Sequence, residues 1–349
     1  MVYMPLSFPH VKEKKASQMK NQKGKSLLAY DAVIFDIDNV LVDTRHSYLD
    51  AIRWTIEIYL TDDKIPLFSA SAKRPSPTLL SPEDVDDFKL LGGFNDDWDC
   101  CYGLLVYLLT LPVAKRTLAN LKQTMKLKEF IARIKNRPLG VSGIVKMLGR
   151  PKSVTIEKIS RIFQEVYLGN DLFSSMEGKR PLYWKKRGLI HRERLVFKKK
   201  ILERLKRMGL QLAIATGRPR FEAHYVLERF GILDLFDVLT PIDEVKRAER
   251  ELKQSLRKPH PYSLLETAKK IGGKKRLLYV GDLPDDILAT HRAKGSLEIR
   301  SVAFPVLARN PRTALAEIVK VQPDFIIRNP RDLFTILQPS TGRRPARRR

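Results

Sequence analysis

Cysteine is nearly absent: the 349 residues hold two, Cys100 and Cys101, side by side. Adjacent cysteines rarely bridge each other, so no disulfide framework is expected, and a reducing, cytoplasmic setting is. Long apolar stretches are missing too. The longest, residues 102–114, falls short of the ~18–20 residues of a membrane span and is interrupted by Pro112. No apolar region follows the first N-terminal charges, so neither a secretory signal nor a membrane partner is expected. Glycine (18) and proline (21) are near average usage, which excludes collagen-like and low-complexity architectures. Internal repeats are lacking, and the histidines, His10, His46, His191, His224, His260 and His291, show no metal-ligand spacing. Gly24-Lys25-Ser26 has Met19 where a phosphate-binding P-loop needs its first glycine.

What remains is globular composition, 43% hydrophobic and 30% charged, on a length that suggests about two domains. Acidic charge is scarce overall, and the net charge is +26. The excess is clustered. Residues 1–30 carry +5, 115–152 carry +10, 179–207 carry +11 and 340–349 carry +5, whereas 83–99 carry −6. Clustered cations attract anions, whether small phosphates or nucleic acid. No recognition motif accompanies this charge, so only weak, sequence-independent polyanion binding through the basic tails is expected.

Residues 1–30 and 339–349 are basic, apolar-poor and aperiodic, and are expected to be flexible tails. Ala32-Val33-Ile34-Phe35 is a continuous apolar run of the kind that forms a strand buried on both faces. Similar runs recur at residues 212–215, 277–280, 301–304 and 324–327, with a lesser one at 237–240. Helical patterns lie between them. Leu195, Ile201, Leu202, Leu205 and Met208 share a face stopped by Gly209, and residues 221–230 and 261–271 end at Gly231 and Gly272. This alternation predicts a doubly wound parallel sheet of the α/β class. Residues 44–187 break the pattern. They contain only helical periodicity and loops, with helices predicted over 47–60, 102–111, 117–134 and 153–167. The expected organisation is therefore an α/β core (31–43 and 188–338) with a helical cap (44–187) inserted after the first strand.

Asp36-Ile37-Asp38 places two carboxylates where the first strand leaves the sheet, at the edge where open α/β sheets bind ligands. Asp282, Asp285 and Asp286 follow another strand, Thr216-Gly217 a third, and Lys258 lies between. Carboxylates gathered at one edge repel one another and need a cation; oxygen-only ligands favour Mg2+.

These residues, in this order, resemble the four signature motifs of the haloacid dehalogenase superfamily of hydrolases: Asp36-Ile37-Asp38-Asn39-Val40, Thr216, Lys258, and Gly281-Asp282 with Asp286. The insertion matches subfamily IA, which carries a helical cap between the first two motifs and includes phosphoglycolate-phosphatase-like enzymes. The resemblance implies a Mg2+-dependent phosphatase acting on a small phosphorylated metabolite such as phosphoglycolate or a sugar phosphate. Asp36 would attack phosphorus to form an aspartyl-phosphate, and Asp38 would serve as general acid and then base. Asp36, the Asp38 carbonyl and Asp282 would hold Mg2+, with Asp286 supporting them. Thr216 and the Gly217 amide would bind phosphate, and Lys258 would offset charge. A phosphomutase would share all four motifs. A basic nucleic-acid-associated protein, or a phosphatase acting on nucleic-acid ends, is the alternative that the charge suggests.

Caps in this superfamily supply specificity, so Asn95 and Trp98, in a glycine-flanked polar-aromatic stretch, are candidates for substrate contact, as is Arg45. Cap closure is expected to hinge near Thr44–Arg45 and Arg187–Gly188.

Overall fold

The computed structural model describes residues 28–62, 66–69, 76–89, 91, 94, 96–134, 140–272, 275–308 and 310–338. The expected tails lie almost wholly outside the described residues, as does Asn95.

Among the described residues, the first elements are β1 (Ala32–Phe35) and the short β2 (Val42–Asp43). Seven helices follow among the described residues: α1 (Tyr48–Leu60), α2 (Pro82–Lys89), α3 (Asp97–Leu109), α4 (Leu118–Thr124), α5 (Leu127–Ile134), α6 (Gly140–Leu148) and α7 (Ile156–Glu177). The chain returns through β3 (Arg194–Leu195) and then alternates. The order is α8 (Lys199–Arg207), β4 (Gln211–Ala215), α9 (Arg220–Arg229), β5 (Val238–Thr240), α10 (Ile242–Leu252) and α11 (Tyr262–Ile271). It continues through β6 (Leu277–Gly281), α12 (Pro284–Ala293), β7 (Ile299–Ala303), α13 (Pro311–Lys320), β8 (Phe325–Ile326) and α14 (Leu333–Leu337).

Among the described residues, six strands form one parallel sheet in the order β5-β4-β1-β6-β7-β8. All six apolar runs of the sequence become its strands. β1 is central, with Phe35 level with Ile214 of β4 and Val280 of β6. Connections therefore run outward in both directions from β1, and the carboxyl ends of these three strands form the crevice typical of ligand sites. All four β1 residues are buried, which is why alternation is absent from its sequence. Val33 and Phe35 face a cluster that also contains Ile52 of α1, Leu105 of α3 and Val166 of α7. Ala32 and Ile34 face the other layer, with Leu264 of α11 and Ala289 of α12. Burying a side chain such as Phe35 contributes about 1.5–3 kcal/mol. The shared cluster ties the helical segment to one face of the sheet.

Three details correct the sequence reading. Leu195 does not join the apolar face of α8; it lies in β3, paired antiparallel with Val42, and α8 starts only at Lys199. The helix expected over 117–134 is two, because Met125 is extended and ends α4, while the Lys126 amide donates to Tyr107 Oη. Helix α7 runs ten residues beyond Tyr167, with Gly169 at φ 79° interrupting its regular geometry. There the returning chain crosses closely: a Cβ on Gly169 would lie 2.0 Å from the Gly188 nitrogen. Residues 189–192 then pack on α1 and α7, so the helical layer's contacts extend past Arg187 to Arg192. No described helix is long and apolar enough to cross a membrane.

Candidate active site

The Asp36 amide donates to the Val280 carbonyl at 3.0 Å, so the ladder between β1 and β6 holds the backbone one residue past the strand. Its carboxylate emerges at the crevice, where Oδ1 accepts from the Ile37 amide at 2.7 Å. The other oxygen lies 2.7 Å from Lys258 Nζ, and the same ammonium lies 2.8 Å from Asp286 Oδ1.

Asp286 is held from every side. Tyr279 Oη donates to its Oδ1 at 2.9 Å, and the Asp282 and Leu283 amides donate to Oδ2 at 3.1 Å. Its position at the start of α12, behind Pro284, makes these loop amides available. Gly281 permits the approach, since a Cβ there would lie 2.4 Å from Asp286 Cβ. With both oxygens engaged, Asp286 supports the site through Asp282 and Lys258.

Asp36, Asp282 and Asp286 each offer an oxygen within 4.8 Å of the others. Burial, reinforced by Asp286 and Asp36, pushes the Asp282 carboxyl well above its ordinary range. Burial also raises Asp36, with Lys258 opposing. Burial pulls Lys258 down, but Asp286 and Asp36 overcome it and keep it protonated. One ammonium among three converging carboxylates leaves negative charge uncompensated. The all-oxygen donor set fits a hard divalent cation, and such an ion would relieve that charge.

Thr216 follows β4, with its amide bonded to the Thr240 carbonyl at 3.1 Å and its hydroxyl accepting from the Arg218 amide at 3.2 Å. Gly217, next to it, is exposed. Thr216 and Gly217 thus end β4 while Asp36 and Asp38 end β1, its neighbour in the sheet.

The surroundings of Asp38 were not legible. Arg218, with no exposed side-chain surface, lies 2.5 Å from Asp38 and 3.1 Å from Glu193. Glu193, equally buried, also accepts from Ser47 Oγ and Tyr167 Oη at 2.9 Å. Tyr167 in turn stacks on Tyr48, ring centroids 4.7 Å apart, and Arg218 lies over the Tyr48 ring. Burial pushes the Asp38 carboxyl up to about 6, against the opposing pull of Arg218. The available signal was Glu193, one of two acids inside a +11 segment.

The remaining candidates are placed differently. Arg45 pairs with Asp43 at 2.7 Å. Trp98 lies in the first turn of α3, its amide donating to the Asp96 cap, and Lys246 of α10 lies 5.7 Å from its ring. Asp96 also pairs at 3.3 Å with Arg257, the neighbour of Lys258. This end of α3 therefore rests on the same loop that delivers Lys258. Asn95 lies outside the described residues.

Comparison with known proteins adds to this geometry. The chain is 25% identical over 299 residues to an imidazoleglycerol-phosphate dehydratase from Phytophthora nicotianae, covering 84% of this chain and 47% of that one. It is 38% identical over 96 residues to a phosphoglycolate phosphatase from Pasteurella multocida, covering 27% and 39%. It thus spans less than half the length of these curated relatives. A solved phosphatase from Thermococcus thioreducens shares the fold, with a TM-score of 0.55 at 21% identity over 81% of this chain and 98% of that one. The model of the haloacid dehalogenase-like hydrolases matches residues 30–294, most of the chain, and the protein belongs to that family.

Proposed function

We propose that this hydrolase is a Mg2+-dependent phosphomonoesterase that works through an aspartyl-phosphate on Asp36. The observation that carries the reading is the convergence of Asp36, Asp282, Asp286 and Lys258 at the carboxyl ends of β1 and β6, beside Thr216 at the end of β4. Phosphatases among the similar proteins point the same way.

Asp36 attacks phosphorus, and its second oxygen, bonded to Lys258, is kept from rotating away. A bound Mg2+ supplies charge neutralisation between this carboxylate and the incoming phosphate. Asp36, Asp282 and the Asp38 carbonyl would hold it, with Asp286 fixing the Asp282 backbone. Asp38 holds the proton destined for the leaving oxygen, then removes one from the water that hydrolyses the acyl-phosphate. Thr216 and the Gly217 amide orient the phosphoryl oxygens, and Lys258 steadies the charge that accumulates on them.

The test is phosphate release from 4-nitrophenyl phosphate. Turnover should require Mg2+, stop in excess EDTA, and fall by roughly 10⁴-fold or more in Asp36→Asn. Undiminished turnover in either condition overturns the mechanism.

A further inference from the structure

Glu222, in the first turn of α9, is 3% exposed and forms no ion pair among the described residues. Its carboxylate faces two groups from the helical segment, both at the long limit of hydrogen bonding: Tyr48 Oη of α1 and Gln164 Nε2 of α7, each at 3.4 Å. Gln164 Oε1 is shielded from water and has no hydrogen-bond partner among the described residues. Arg220, two residues away, pairs with Glu244, and Arg218 is already turned to Asp38 and Glu193. A buried carboxylate and a buried amide oxygen, both short of donors, are costly unless something supplies those donors.

The location says what that is. Arg218 binds Asp38 and lies over the Tyr48 ring, 5.4 Å from its centroid, while Tyr48 reaches Glu222. Glu222 is therefore separated from the acid that serves the leaving oxygen by one ring and one guanidinium.

We propose that Glu222, Gln164 and Tyr48 recognise an ammonium group carried by the leaving group of the phosphomonoester. This rests on the phosphatase reading and narrows its substrate. An ammonium presents three N–H donors; Glu222, Gln164 Oε1 and Tyr48 Oη are three acceptors. An anionic leaving group such as glycolate fits poorly. It would meet the carboxylates of Asp38 and Glu222, with a guanidinium whose donors are already taken.

Three two-carbon phosphomonoesters that differ only at the distal group provide the test: O-phosphoethanolamine, 2-hydroxyethyl phosphate and 2-phosphoglycolate. The wild-type kcat/KM should fall in that order, with at least about a tenfold span between the first and last. Glu222→Gln, which keeps the size and removes the charge, should bring the span toward unity, and Gln164→Leu should narrow it. If the protein hydrolyses 4-nitrophenyl phosphate but prefers phosphoglycolate or does not discriminate, the inference is overturned while the phosphatase reading stands. If it hydrolyses none of the four, both fall. The wild-type ranking decides the matter even if a variant does not fold.

Discussion

Arg218 lies 2.5 Å from Asp38 with none of its side chain exposed, and it stands on the sheet side of a contact that reaches into the helical segment. Its opposite edge meets Glu193, which also gathers Ser47 from the start of α1 and Tyr167 from α7. One guanidinium thus joins the loops after β1 and β4 to the helices that cover them. Removing it would leave the Glu193 carboxylate buried without its ion pair. Arg218→Met should therefore cost about 3–5 kcal/mol of stability, read as a lowered denaturation midpoint. Combining it with Glu193→Leu should recover part of that loss, because the orphaned charge goes too. Arg218→Lys should rescue little, since a single ammonium cannot serve two carboxylates in a fork. A stability close to wild type in Arg218→Met would show that the network carries no net energy.

Asp286 gives a second expectation, about metal affinity. It holds the Asp282 and Leu283 amides with one oxygen and Lys258 and Tyr279 with the other. Asp286→Asn keeps the shape but replaces an acceptor with a donor that opposes Lys258. The Mg2+ concentration for half-maximal rate should rise on the order of 10–100-fold, with the rate at saturating Mg2+ reduced less. An unchanged Mg2+ requirement would remove Asp286 from the ion's support.

The core of the fold was legible because β1, β4 and β6 are buried on both faces and so write continuous apolar runs such as Ala32–Phe35. The carboxylates were legible because they sit at fixed offsets from those strands. The Arg218–Glu193–Tyr167 network was not. Its members are 25 and 26 residues apart along the chain, in segments whose local patterns are unremarkable, and only tertiary packing brings them together. Strands β2 and β3 escaped for a related reason: two residues each are too short for any period, and their pairing across 150 residues is set by the return of the chain. Helix α4 ends at Met125 through a backbone bond to a distant tyrosine hydroxyl, which no local propensity records.

The positive charge leads to a separate test. Net +10 and +11 on residues 115–152 and 179–207 favour encounter with anions, but no stacking platform interleaves with them apart from Tyr183 and Trp184. Trp184 is buried, with its indole donating to the Arg187 carbonyl, so its ring is not free to stack on a base. Binding to a mixed-sequence oligonucleotide should therefore be weak, insensitive to sequence, and fall log-linearly with salt. It should largely disappear near ~150 mM salt, and removing residues 1–30 and 340–349 should abolish most of it. Tight binding at that salt without the tails would instead make nucleic acid the principal partner.

Glu222 should also announce itself in the absence of any substrate. Burial pushes its carboxyl from the ordinary value of 4.5 up to about 7, with Arg218 opposing and Asp38 and Glu193 adding to the shift. Its contacts, Tyr48 and Gln164, bring no charge. Below pH 4.5 folded and unfolded chains both carry the proton, and the site costs nothing. As pH rises from 4.5 to 7 the unfolded chain releases its proton first, so the folded state loses stability, and above 7 the loss is complete. Glu222→Gln has no proton to release. Its melting temperature relative to wild type should rise between pH 5 and pH 8, by an amount equivalent to at most about 3 kcal/mol. A difference that stays constant with pH would mean that Glu222 ionises as an ordinary surface carboxylate does. A gain in stability paired with a loss of discrimination among the three two-carbon substrates would identify Glu222 as a residue kept for binding at the expense of the fold.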